Sequence, residues 1–308
     1  MPHLGQYAPI LKAVFFLYPD RASAEKGVKS GGTGFLLGEE MKRVPGYAHI
    51  HAVTNWHVAV CPKDGPPSPV IRINRKSGKP DIFEFDCTEW IFEGGGPDVA
   101  ISPPVTVTDE HDIQLLDVSS WVLTTAQEIK DAVGPGDDVF MLGRFVDYDG
   151  VETNQPAARF GHVSMMDARI EQSTHYKGRS IVLDMHSRSG FSGSPVFVYR
   201  TIGSHFFEPQ PGKVLTGGGH YIKLLGIHYA QFPESWELKA KQTTSTVTQA
   251  VLQADSHYVE GLSGMTCVVP AADIMRIYNR PELVAMREMS EQHNERLGLG
   301  GLPNTPES

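Results

Sequence analysis

Short apolar or alternating runs recur along this chain at 13–18, 33–37, 48–54, 70–74, 82–86, 99–101, 138–142, 161–165, 181–185, 196–199 and 222–228. Each ends at a glycine, a proline or a polar turn. None is long enough for a well-formed helix, and the pattern within them is period two or wholly apolar. Such a rhythm restricts the chain to an all-β architecture with many turns, and the 31 glycines and 22 prolines supply those turns. Helical signals come late, at 271–279 and at 281–297, where Pro281 opens the second segment and Gly298 follows its end. A weaker helix candidate at 237–254 has a Thr-Thr-Ser-Thr-Val centre that disfavours it.

A seam without strand pattern lies at 119–135, with about six strands on either side. The expected organisation is two six-stranded antiparallel β-barrels, 8–118 and 136–280, joined by a linker at 119–135. The second barrel carries an insertion at about 232–261; a C-terminal helix at 281–297 and a flexible tail at 298–308 follow.

Composition narrows the partners. The 36 acidic and 27 basic residues leave a net charge of -9, and no cluster of Lys and Arg breaks that balance, so nucleic acid is not an expected partner. The apolar run AVFFLY stops at Pro19, too short to span a bilayer, so no membrane partner is expected. Cys61, Cys87 and Cys267 are odd in number, widely spaced and without a CxxC pair, which fits reduced thiols. With no secretion-type leader visible, the expected location is cytoplasmic.

The stretch SRSGFSGSPVF, 187–197, sets Ser192 between glycines in a turn that Pro195 and an apolar strand hold fixed. A serine hydroxyl is a weak nucleophile unless a base lies within hydrogen-bond reach and an acid orients that base. Among thirteen histidines, His57 in AVTNWHV follows a strand end, where a side chain leaves the sheet. Asp98 in GGGPDVAIS stands at the mouth of a short apolar strand; Asp86 and Asp112 are rivals by position, and a plain turn aspartate is the simpler reading of Asp98 alone. His49 and His51 share one strand face as a His-x-His pair, but no third ligand accompanies them, so no metal and no other cofactor is expected.

The blocks GGTGFLLG, AVTNWHV, PDVAI, GFSGSPVF and LLGIHYA occur in this order and resemble the successive signatures of trypsin-like (chymotrypsin-fold) serine proteases. GDDVFMLGRF and GMTCVVPAADIMRIY resemble a barrel-opening strand and the closing strand and helix of HtrA-type members. The resemblance implies a double β-barrel and a serine endopeptidase with a polypeptide substrate. It implies His57 as general base, Asp98 as its orienting carboxylate, Ser192 as nucleophile, and the N–H groups of Gly190 and Ser192 as the oxyanion hole. Phe191 stands where digestive members carry an aspartate that pairs with a new N-terminus, so that activation switch is absent.

GFSGSPVF with GIHYA is similar to glutamyl endopeptidases. That likeness implies His228, with Ser187 and His186 beside it, in an S1 pocket that prefers Glu or Asp at P1. A core histidine satisfied by backbone is the competing reading of His228. A trypsin-like module that binds peptide and stays inactive until a regulatory protein opens it is the alternative function, and the polar segment 237–261 is the candidate regulatory insertion.

Overall fold

The computed structural model describes residues 5–148, 150, 152–200, 221–237 and 258–298. Its thirteen described strands form two sheets. The first holds β1 (Val14–Tyr18), β2 (Thr33–Glu40), β3 (Ala48–Thr54), β4 (Val70–Asn74), β5 (Pro80–Phe83), β6 (Ala100–Pro104) and the two-residue β7 (Leu116–Asp117). Six of these run antiparallel in the order β5-β4-β1-β2-β3-β6, and β7 adds in parallel on β2, with Leu116 opposite Leu37. The second holds β8 (Asp138–Gly143), β9 (Ala157–Glu171), β10 (Lys177–Asp184), β11 (Pro195–Arg200), β12 (Tyr221–Glu237) and β13 (Tyr258–Pro270). These close into a six-stranded barrel, β10-β13-β12-β11-β8-β9.

The run VFFLY reads as unbroken apolar sequence because β1 is covered on both faces. Phe15 and Leu17 point into one cluster with Leu36, Ile71 and Trp90. Phe16 and Tyr18 point the other way, against Ala24 and Val70. A third cluster joins the two halves: Phe35, Leu37 and Val53 of the first sheet share it with Phe140, Phe197 and Leu224 of the barrel. The two halves therefore share a continuous packed core, which holds their residues in fixed register. Arg144, after β8, adds a polar tie. Its guanidinium is fully buried, 4.4 Å from the Tyr18 ring centroid, and donates to the carbonyls of Val28 and Ser30. A buried cation is tolerable there because carbonyl oxygens and an aromatic face replace its water.

The linker expected at 119–135 contains two short helices, Val118–Trp121 and Ala126–Ala132; a reciprocal Thr125–Glu128 cap starts the second. The insertion expected at about 232–261 is ladder at both described ends, with Pro233 opposite Leu262 and Glu237 opposite Tyr258. The rest of the 237–254 helix candidate and all but the first residue of the 298–308 tail lie outside the described residues. The helices Ala271–Tyr278 and Pro281–Arg296 close the described chain. The second docks through Arg287, which donates to the Tyr278 carbonyl at 3.0 Å and lies 4.0 Å over its ring.

The His-x-His pair of β3 serves this docking. His51 Nδ1 donates to the Ser102 carbonyl at 2.9 Å, and its ring meets Tyr278 edge-on. His49 Nε2 lies 3.9 Å from Glu291 of the last helix. Among the described residues no cluster of three His, Cys, Asp or Glu could hold a metal ion. No described helix is long and apolar enough to cross a membrane.

Candidate active site

Strand β3 ends at Thr54, and the chain turns at once into a four-residue helix, Trp56–Ala59, that carries His57. Asp98 lies in the loop before β6 and is fully buried. The two meet through both ends of the carboxylate. His57 Nδ1 donates to Asp98 Oδ2 at 2.6 Å, and the His57 backbone N–H donates to Asp98 Oδ1 at 3.0 Å. A carboxylate can only accept, so Nδ1 is the donor, and in the neutral tautomer this selects, Nε2 is the acceptor.

The Asp98 loop is itself held from two sides. Asn55 Nδ2 donates to the Asp98 carbonyl at 2.7 Å, and the Asp98 N–H donates to Gln172 Oε1 at 2.7 Å. Gln172 starts the turn between β9 and β10, and Thr174 in the same turn donates to the Gly96 carbonyl. The second barrel thus reaches across to brace the first. Asn55 falls inside AVTNWHV, whereas Gln172 carries no local signal, because its partner lies 74 residues away.

The two rival aspartates are otherwise engaged. Asp86 caps the turn Cys87–Glu89, and Asp112 pairs with Lys12 at 2.7 Å.

Ser192 lies in a tightly specified turn. The Phe191 N–H donates to the Arg188 carbonyl at 3.2 Å, and Gly190 has φ +95°, which makes 188–191 a type II turn. Gly193 has φ +87°; a Cβ there would lie 1.9 Å from the Thr33 carbonyl oxygen and 2.5 Å from Thr54 Oγ1. A Cβ on Gly32 would meet both the Ser192 carbonyl oxygen at 2.8 Å and Val58 at 2.9 Å. The serine turn is therefore pressed against the start of β2 and the end of β3, and Gly32 lies between it and Val58 of the His57 helix. Neither the Gly190 N–H nor the Ser192 N–H has an acceptor among the described residues.

A family model described as a trypsin-like peptidase domain matches residues 32–201, more than half of the sequence. The chain belongs to the trypsin-like peptidase family. No curated protein sequence matches it. Solved structures similar to it include the apo protease domain of MamO from Magnetospirillum magneticum, 16% identical, with a TM-score of 0.47. That match covers 88% of this chain and 97% of the other. The HtrA-type protease AlgW with a decapeptide is 16% identical with a TM-score of 0.42, over 88% of this chain and 60% of the other. An inactive serine-to-alanine form of Rv3671c from M. tuberculosis H37Rv is 13% identical with a TM-score of 0.43, over 90% and 89%.

In this peptidase domain Phe191 is fully buried in the second-barrel core, against Gly143. The serine turn is anchored by an apolar side chain rather than by an ion pair. His228 on β12 is 3% exposed, and its Nδ1 donates to the Phe191 carbonyl at 3.1 Å. Its Nε2 is buried without a partner, as is the hydroxyl of Ser187. Burial lowers the His228 pKa to about 4, so the ring is neutral at pH 7 with a bare acceptor at Nε2. His186 differs from both: it is exposed, and its ring lies against Gly264.

Proposed function

We propose that the chain is a serine endopeptidase acting through His57, Asp98 and Ser192. Ser192 Oγ attacks the scissile carbonyl carbon while His57 Nε2 takes its proton. The oxyanion accepts from the N–H groups of Gly190 and Ser192. The C–N bond then breaks as His57 returns the proton to the leaving amine, and water repeats the sequence on the acyl-enzyme. No metal or organic cofactor takes part in these steps.

The observation behind this reading is the two-point grip of buried Asp98 on His57, which fixes the ring with Nδ1 on the carboxylate and turns Nε2 away from it. The type II turn at 188–191 supports an active site over a latent one. Free thiols at Cys61, Cys87 and Cys267 fit a reducing, cytoplasmic setting.

The pocket reading assigns P1 recognition to His228, Ser187 and His186; the first two are buried, whereas His186 is exposed. In the free protein Nε2 of His228 is an acceptor, so a P1 carboxylate must arrive with a proton shared between them. A P1 glutamine can donate from its amide instead. The ratio of kcat/KM for matched peptides with Glu and Gln at P1 should therefore rise as pH falls from about 8 to 6, by up to ~10-fold per unit. The ratio cancels whatever titrates in the shared chemistry. It also avoids replacing His228, which holds the serine turn through Phe191. A ratio flat across that range would remove His228 as the reader of an acidic P1.

A further inference from the structure

Thr33, the first residue of β2, is fully buried and bonds to the serine turn through two of its groups. Its Oγ1 donates to the Gly190 carbonyl at 2.7 Å, and its N–H donates to the Ser192 carbonyl at 2.8 Å. Its own carbonyl accepts from Thr54 Oγ1 at 2.7 Å. The same hydroxyl accepts from the Arg144 N–H at 2.9 Å. A carbonyl cannot donate and an N–H cannot accept, so the single hydroxyl hydrogen must point at Gly190.

These bonds fix two peptide planes at both ends. The Gly190–Phe191 plane is held at its oxygen by Thr33 Oγ1 and at its N–H by the Arg188 carbonyl. The Ser192–Gly193 plane is held at its oxygen by the Thr33 N–H and at its N–H by the His228 carbonyl. The planes that alternate with them carry the unpartnered N–H groups of Gly190 and Ser192. Pinning one set of planes sets the direction of the other.

We propose that Thr33 is a positioning residue for the oxyanion hole. Through its hydroxyl the first barrel holds the type II form of the 188–191 turn, so that both free N–H groups converge on one point. The proposal rests on the serine endopeptidase reading for its catalytic consequence, but its structural part does not.

Without the hydroxyl, the Gly190 carbonyl and the Arg144 N–H both lose a partner inside the protein. The turn then has less reason to prefer type II over type I, in which the central peptide is inverted. Complete loss of one oxyanion donor typically costs ~100- to 1,000-fold in rate, so partial loss of order should cost roughly 10-fold or more. The test compares Thr33→Val, which keeps shape and backbone N–H, with Thr33→Ser, which restores the hydroxyl. Thr33→Ala replaces Val if that variant does not fold.

Two readouts are taken on the full chain. In the first, Thr33→Val labels with a fluorophosphonate at least about 10-fold more slowly, peptide kcat falls while KM holds, and Thr33→Ser recovers to within about threefold. In the second, amide hydrogen exchange at Phe191 speeds up in Thr33→Val and returns to the native rate in Thr33→Ser. Native-rate labelling by Thr33→Val overturns the proposal. If the native chain itself does not label, the endopeptidase reading fails, and exchange alone decides: unchanged protection at Phe191 in Thr33→Val overturns the clamp.

Discussion

Asp98→Asn should lower kcat by roughly 10,000-fold while leaving KM and the melting temperature close to native. The carboxylate accepts twice from His57, once from the ring and once from the backbone. An asparagine can keep the backbone contact with its oxygen, which preserves the fold. Its amide nitrogen then faces His57 Nδ1, and a donor there forces the imidazole proton onto Nε2. The base toward the substrate is lost, and the imidazolium that forms in the transition state loses its counter-charge. Steady-state hydrolysis of a fluorogenic peptide, or labelling rate where turnover is too slow, measures the effect. A loss under about 10-fold would mean that the His57–Asp98 pair is structural.

Gly193→Ala should destabilise the protein by about 3 kcal/mol or more, from left-handed backbone strain and enforced overlap together. The strain arises because φ is +87°. The overlap arises because the new Cβ would lie 1.9 Å from the Thr33 carbonyl oxygen, and that oxygen belongs to β2 and cannot swing aside. A shift of this size should lower the melting temperature by about 6 °C or more. Labelling of Ser192 should fall with it, since the same displacement moves the turn off Thr33. Denaturant or thermal unfolding decides the matter. A change below about 1 kcal/mol would show that the junction between β2 and the serine turn is looser than its contacts imply.

Much of this arrangement was legible in the sequence. The ranges expected at 48–54 and 70–74 are those of β3 and β4, because both strands are buried runs bounded by clear turns. The strand expected at 82–86 slides to Pro80–Phe83, because Asp86 and Glu89 form a reciprocal cap that starts a turn there. The ends of β9 and β12 run far past their apolar centres. Their outer halves are largely exposed and mix polar with apolar residues, and they are strand because a partner strand lies beside them.

The site divides in the same way. His57, Asp98 and Ser192 each sit in a short local pattern, so sequence could nominate them and the fold brings their loops together. Gln172 could not be nominated, because its neighbourhood looks ordinary and what it holds lies 74 residues away; Thr33 falls inside GGTGFLLG, but its task depends on a partner 157 residues away. The His-x-His pair shows the converse. The two histidines face the two C-terminal helices, His49 toward Glu291 and His51 dried to a pKa of about 4 beside Tyr278.

Intact-mass labelling with a fluorophosphonate asks whether Ser192 is an assembled nucleophile. The native chain should gain the mass of one adduct, and Ser192→Ala should gain none while melting as the native protein does. An adduct on Ser192→Ala, or none on the folded native chain, would contradict the account.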